Sequence, residues 1–268
     1  MPAVTFERRG YVGIVTIDRP EARNALSPEV IVRLDRHWQQ LREDDELRVG
    51  IVTGAGDKSF CAGADLARLI PLIGGQREPE DAWDEAVLGD REIAVRASLL
   101  GNDIGKPVIA ALNGHAMGGG LELAMAADLR IAAGGVRLGL PEVKRALFPG
   151  GGGTVKLARL IPSTRALELM LTGDAIEADE AMQLGLLNAV VPRDQLLDAA
   201  IDLADRIAAN GPLAVRAILQ SARETDGMPL AAALERAMAI GAPVFQSEDA
   251  AEGAKAFIEK RTPIYRGQ

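Results

Sequence analysis

One cysteine, Cys61, and two histidines, His37 and His115, are all that the 268-residue chain offers of the side chains that most often ligate metals or relay protons. A single cysteine excludes an internal disulfide, a cysteine-rich zinc cage and a thiol relay. Two histidines leave little material for a histidine-based metal site. If the chain is catalytic, carboxylates and backbone groups must carry most of the chemistry. Basic blocks are missing as well: 30 Lys and Arg stand against 38 Asp and Glu, for a formal charge of -8. Nucleic acid requires a basic stripe or patch, and none is present. No apolar run approaches the roughly 18 residues of a membrane span. Met1 to Gly10 carries Glu7, Arg8 and Arg9 and no apolar segment of the secretory kind. Together these absences predict a soluble, cytoplasmic protein that binds neither nucleic acid nor membrane.

The rest of the composition, 48% hydrophobic and 25% charged, is that of a soluble globular chain. Its length suits one or two domains with a core that needs no staples. Val4–Arg9 and Val12–Asp18 alternate about Gly10 and predict a hairpin. Ser27-Pro28-Glu29 joins an N-cap to a proline at the first helical position, and Val30, Leu34, Trp38 and Leu41 follow on one face. Val49–Thr53, Pro107–Leu112 and Leu129–Ala133 predict strands, which makes residues 1–195 an α/β core. From Ser163 onward Ala, Leu and Ile recur at helical spacing, with Ser163 and Ser247 as caps and Asn188–Val191 as the only expected strand. Residues 196–268 are therefore expected to be helical. Between Ala64 and Pro107 one helix is expected, around Glu92–Leu100. The stretch 71–92 reads either as a movable pocket wall or as a plain surface excursion.

What the chain has in excess is glycine, 29 residues or about 11% against a typical ~7%. Eleven of them fall between Gly114 and Gly153. Gly118–Gly120 lies between a strand and an Ala-, Leu- and Met-rich helix. Free N–H groups at a helix start, with glycines that permit close approach, suit an anion: a phosphate or a developing oxyanion. Neither G-x-G-x-x-G nor G-x-x-x-x-G-K-[ST] is matched, and there is no G-x-S-x-G elbow, so the phosphate is the weaker reading.

Glu122 stands out among Leu121, Leu123, Ala124, Met125, Ala126 and Ala127. A helix apolar nearly all round is buried, and a buried carboxylate is costly unless paired or functional. The competing reading leaves it exposed on a narrow polar edge. Glu142 follows Pro141 in an ordinary helix opening, and taken singly it reads as structural. Pro149 and Gly150–Gly153 form a tight turn into another helix. In Ser59–Leu66, the N–H of Ala64 reads as a second oxyanion donor, or Asp65 reads as a helix cap; spacing does not choose between them.

In order along the chain, these segments resemble the crotonase superfamily, and enoyl-CoA hydratase within it. The resemblance is carried by Arg23-Asn24-Ala25-Leu26, Cys61–Leu66, Lys106–Ala111 leading into Gly118–Gly120, Leu140-Pro141-Glu142, Pro149–Thr154, Leu171–Asp174 and Leu184–Asn188. It implies a spiral of repeated ββα units with a carboxyl-terminal helical region that mediates trimers, often paired into hexamers. It also implies reversible hydration of a 2-enoyl-CoA to a 3-hydroxyacyl-CoA, within fatty acid and lipid metabolism. By the same resemblance Ala64 and Gly119 supply the oxyanion hole, and Glu122 and Glu142 match the catalytic glutamates. Ala25, Ala62, Ala64, Asp65, Leu66, Gly118 and Gly119 resemble substrate contacts, and Phe257 and Lys260 a CoA contact made across a subunit boundary. Coenzyme A enters as part of the substrate, and no separate cofactor or metal is expected. In that chemistry Glu122 activates water and Glu142 delivers the proton to C2.

Departures from the pattern bear on the acyl group: Gly151 where alanine is common, Val155-Lys156 where Gln-Arg is common, and Leu138 where phenylalanine is frequent. Ser247–Gly253 and Glu259–Arg261 also look like carnitinyl-CoA dehydratases, so a hydratase or dehydratase of an unusual acyl-CoA is the enzymatic alternative. A non-catalytic acyl-CoA binder is the alternative from another class. His115 is expected to be a satisfied loop histidine, and Cys61 a small apolar filler.

Overall fold

A computed structural model describes residues 2–100 and 104–268. Met1, the first residue of the amino-terminal stretch, and residues 101–103, near the close of the Ala64–Pro107 segment, lie outside the described residues. Strands β1 (Val4–Arg9) and β2 (Val12–Ile17) form the expected hairpin about Gly10, in register from Val4 opposite Ile17 to Arg9 opposite Val12. Helix α1 (Pro28–Glu43) starts where Ser27 Oγ accepts the N–H of Val30 at 3.4 Å. Val30, Leu34, Trp38 and Leu41 are buried along its inner face. Its far end is closed by Lys106, whose buried Nζ donates to the carbonyls of Leu41 at 2.7 Å and Asp44 at 2.6 Å. A cation there meets both the unpaired carbonyls and the negative end of the helix dipole.

The chain continues through β3 (Val49–Gly54), β4 (Ser59–Cys61), α2 (Leu69–Ile73), α3 (Ala82–Gly89), α4 (Ile93–Ala97), β5 (Val108–Leu112) and β6 (His115–Met117). It then forms α5 (Gly119–Ala126), β7 (Leu129–Ala133), β8 (Arg137–Gly139) and a 3-10 turn at Pro141–Arg145. Next come α6 (Gly153–Leu160), α7 (Ser163–Thr172), β9 (Ala175–Glu177), α8 (Ala178–Gln183) and β10 (Ala189–Val191). Helices α9 (Leu196–Ala208), α10 (Pro212–Glu224) and α11 (Leu230–Gly241), a 3-10 turn at Ala242–Gln246 and α12 (Glu248–Glu259) complete the order.

Two sheets result, one of order β1-β2-β3-β5-β7-β10 and one of order β4-β6-β8-β9. From β2 onward the first is parallel; the second is parallel except for its β8–β9 edge. The pairs β3/β4, β5/β6 and β7/β8 each give one strand to each sheet, so the chain advances one place in both sheets per unit. This is the spiral of ββα units expected from the sequence. Parallel strands covered on both faces read as continuous apolar runs, and every residue of β3 and β5 is buried. Helix α9 covers β2, β3, β5 and β7. Among the described residues no helix is long and apolar enough to cross a membrane.

Three expectations change. The 71–92 stretch is not irregular: α2 runs into it and α3 lies on α1, held by Asp81, which caps α3 by accepting the N–H groups of Trp83 and Asp84, both at 2.9 Å. Behind it, Arg77 pairs with the fully buried Asp84 at 2.6 Å. Ser163 is the first residue of α7, not its cap, and makes no capping bond. Beside β10 there is a further strand after Ser163, β9, three residues long and antiparallel to β8.

Candidate active site

The centre of the site is the exit of β6 into α5. Gly118 has φ of 54°, in the left-handed region, and Gly119 opens the helix. At Gly120 a Cβ would stand 2.1 Å from the carbonyl oxygen of Cys61, so only glycine lets α5 lie against β4. Gly63, with φ of 90°, brings the turn after β4 to the same place; its own Cβ would stand 2.9 Å from the nitrogen of Gly119. The two turns therefore touch backbone to backbone.

Ala64 bridges Leu26, but the bonds used are Leu26 N–H to Gly63 O at 2.8 Å and Asp65 N–H to Leu26 O at 3.0 Å. The N–H of Ala64 is left over, and so is that of Gly119 at the helix start; neither has an acceptor among the described residues. The Ala64 nitrogen lies 3.6 Å from where a Cβ on Gly119 would sit, so the two donors border one space. Asp65 caps the turn at residues 66–68 that leads into α2, its Oδ1 accepting the N–H groups of Ala67 and Arg68, both at 3.1 Å; α2 itself starts at Leu69 with no side-chain cap. The two readings of this turn are compatible, because the cap uses the carboxylate and leaves the Ala64 N–H unspent.

The loop before α1 is clamped to this turn. Asn24, absent from the sequence-derived site residues, is fully buried at φ of 55° and holds the loop. Its Oδ1 accepts the N–H of Arg19 at 2.9 Å, and its Nδ2 donates to Ala55 O at 3.0 Å and Ser59 O at 2.7 Å. Arg19 donates to Ala25 O at 2.9 Å and pairs with Asp65 at 3.2 Å, and Ala62 N–H donates to Arg23 O at 3.1 Å. Ala25, Ala62, Ala64, Asp65, Gly118 and Gly119 thus gather in one place, with Leu66 exposed beside them. Phe257 and Lys260 are not brought there within the single chain. Phe257 is 86% exposed on α12, which packs on the Ala242–Gln246 turn, and Lys260 closes that helix in the left-handed conformation.

Glu122 lies one turn into α5 and is 4% exposed, as its apolar neighbours predict. The glycine turn before α6 receives its carboxylate: Gly153 N–H donates to Oε1 at 2.8 Å. A Cβ at Gly151 would stand 2.7 Å from Oε2, and one at Gly153 would stand 2.9 Å from Oε1. Burial raises the Glu122 carboxyl above its ordinary value, and the N–H groups of Gly153 and Gly151 work against that. Glu142, at the start of the 3-10 turn, approaches from the other side, with Oε1 3.1 Å from where a Cβ on Gly118 would be. Its Oε2 is buried without a partner. Burial is the main cause that raises its carboxyl; its own backbone N–H opposes this, the Glu122 charge adds to it, and Arg145 opposes it. Two unspent donors that border one space, with two carboxyls of raised proton affinity beside them, can hold a developing oxyanion and move protons next to it.

Leu100, also unmarked by sequence, reaches the same turn: a Cβ on Gly152 would stand 2.8 Å from its Cδ1. His115 is satisfied as expected, its Nδ1 accepting the N–H of Arg137 at 3.0 Å, but it opens strand β6 and does not lie in a loop. Cys61 is buried filler, its thiol pushed up to about 12 by burial. Among the described residues no three His, Cys, Asp or Glu side chains converge as a metal site would need.

A family model described as enoyl-CoA hydratase/isomerase matches residues 7–268. Enoyl-CoA hydratase EchA19 of Mycobacterium tuberculosis is 44% identical over 267 residues, covering 100% of this chain and 97% of that protein. (E)-benzylidenesuccinyl-CoA hydratase of Thauera aromatica is 40% identical over 264 residues, covering 98% and 99%. Among solved structures, an enoyl-CoA hydratase from Mycobacterium tuberculosis H37Rv superposes with a TM-score of 0.90 at 41% identity, covering 100% of both chains.

Proposed function

The chain belongs to the enoyl-CoA hydratase/isomerase family, and from that premise we propose that it catalyses the reversible hydration of a 2-enoyl-CoA thioester to a 3-hydroxyacyl-CoA. One observation carries the reading: the unspent N–H groups of Ala64 and Gly119 border the space that Glu122 and Glu142 flank. As water adds at C3, negative charge builds on the thioester oxygen. Two preorganised donors stabilise it, each worth about 3 kcal/mol.

The different environments of the two carboxyls support different roles for them. Glu122 has backbone N–H groups at its oxygens, which hold the ionised form, so it accepts a proton from the attacking water. Glu142 has a partnerless buried oxygen and feels the Glu122 charge, so it carries a proton and delivers it to C2. Water thus gives its hydroxyl to C3 and, through the pair, the equivalent of a proton to C2. The reaction balances without a redox step, and coenzyme A is part of the substrate, so no separate cofactor is needed.

The loop cluster Ala25, Ala62, Asp65, Leu66 and Gly118 is assigned to the CoA moiety. The exposure of Phe257 suits a contact that it and Lys260 make to the CoA of a neighbouring subunit, in a homotrimer or a dimer of trimers located in the cytoplasm. Residues 1–195 would then hold the thioester site and 196–268 the assembly surface. The test is to incubate the protein with crotonyl-CoA and longer enoyl-CoAs and follow loss of the conjugated-enoyl absorbance. Binding of CoA esters without turnover of any enoyl-CoA would overturn hydration and leave an acyl-CoA binder.

A further inference from the structure

Arg145 closes the 3-10 turn that begins with Pro141-Glu142. At three residues per turn, positions i and i+3 eclipse, which sets Arg145 on the same edge as Glu142. Its charge reaches the Glu142 carboxyl and acts against the raised proton affinity there. It is exposed, and among the described residues no acidic side chain pairs with it. Its neighbours differ: Lys144 is tied to Asp174 at 2.7 Å, and Arg137 to Glu177 at 3.2 Å. Arg19, on the loop before α1, is tied to Asp65 at 3.2 Å.

The glycine turn that receives Glu122, and the residues that follow Arg145, carry apolar side chains. Leu100 lies against Gly152, Leu140 against Gly153, and Leu147 and Phe148 stand exposed two and three residues on. A purely hydrocarbon tail passing from the Glu122–Glu142 pair over these side chains would have no use for a guanidinium. A tail that ends in a carboxylate would be repelled by the ionised Glu122 unless a cation stood beside it. A guanidinium matches a carboxylate with two parallel N–H donors.

We propose that Arg145 is a specificity-determining residue that receives a carboxylate carried by the acyl group beyond C3, so that the preferred substrates are dicarboxylic enoyl thioesters. The assignment rests on Glu122 and Glu142 being the reaction centre, because that reading decides which side of the oxyanion donors the acyl group occupies.

The experiment measures binding to the full chain by calorimetry, with glutaryl-CoA, butyryl-CoA and free coenzyme A as probes, in wild type, Arg145→Gln and Arg145→Lys. The expected result is glutaryl-CoA binding about tenfold or more tighter than butyryl-CoA, the size of a charge-assisted bidentate pair. That ratio collapses toward one in Arg145→Gln and is partly kept in Arg145→Lys. In turnover, glutaconyl-CoA gains over 2-pentenoyl-CoA through KM. Equal affinity of the wild type for the two esters would overturn the proposal. So would an equal loss for free coenzyme A in Arg145→Gln, which would place the guanidinium on a phosphate. Because binding needs no catalysis, an Arg145-dependent preference without turnover of glutaconyl-CoA or crotonyl-CoA would uphold this assignment and remove the hydratase reading.

Discussion

The buried carboxylate of Glu122 accepts the backbone N–H of Gly153 at 2.8 Å, across 31 residues of chain. That bond ties α5, which supplies the Gly119 donor, to the glycine turn that opens α6. Position 122 is thereby set by backbone, which cannot rotate away as a side-chain partner would. At Gly151 and Gly153 the carboxylate occupies the space a side chain would fill.

Two substitutions in this turn should therefore behave differently. At Gly151 a methyl group would meet Glu122 alone, closest at the movable carboxylate, with Oε2 at 2.7 Å and Cδ at 2.9 Å, and then at its Cβ, 3.2 Å away. Gly151→Ala should fold with little loss of stability but displace the carboxylate, lowering kcat by about tenfold or more while affinity for CoA esters holds. At Gly153 a methyl group would also meet Leu140 at 2.9 Å and Pro149 at 3.1 Å. Gly153→Ala should cost about 1–3 kcal/mol as an overpacked site. Urea denaturation alongside initial rates separates the two; equal stability losses would show that the turn yields as a whole.

Asn24 offers a second test. Its side chain satisfies three backbone groups while its own backbone is left-handed, a combination that asparagine tolerates and alanine does not. Asn24→Ala should destabilise the protein by about 2–4 kcal/mol, from unsatisfied buried groups and left-handed strain. It should also weaken CoA-ester binding, because the Ala25 loop is released from the Ala64 turn. A variant of wild-type stability would mean that water replaces the amide.

These two cases mark what was legible in the sequence. Glu122 could be singled out because a carboxylate in an apolar helix contradicts its surroundings. The main strands could be placed because burial on both faces writes continuous apolar runs. Strand β9 has three residues, too few for a period to show, and its existence depends on β8 beside it. Helices α2 and α3 depend on the Asp81 cap and the Arg77–Asp84 pair, which local pattern does not reveal. Ala64 and Asp65 could not be separated by spacing because a single turn uses both. Leu100 carried no signal, since its contact with Gly152 spans fifty residues of chain.

The carboxyl-terminal helices expose Leu230, Met238 and Phe245, the last at 81%. Large apolar side chains left exposed on these helices suit the proposed subunit interface. Sedimentation should give a trimer or hexamer, and Phe245→Asp should shift the mass toward monomer. If Phe257 and Lys260 reach a neighbour's CoA, the same variant should raise KM for enoyl-CoA substrates. A monomeric wild type would remove both expectations.

The acid–base pair predicts its own pH dependence. In the proposed roles Glu122 works ionised and Glu142 protonated, and both carboxyls are raised above the ordinary glutamate value. The profile of kcat/KM should be a bell whose limbs both lie above the usual carboxylate range. Glu122→Gln and Glu142→Gln should each lower the rate by about a hundredfold or more. Stability should move the opposite way. A carboxyl raised on folding binds its proton more tightly in the folded state, so its contribution is present below the unfolded value and lost as pH rises through the folded one. At neutral pH each glutamate therefore costs stability, and Glu142→Gln should melt higher than wild type at pH 8. The gain should vanish below pH ~4, where the carboxyl is protonated in both states. A Glu142→Gln variant that is inactive but melts lower at pH 8 would show that the ionised carboxylate supports the fold, and would remove its assignment as the acid.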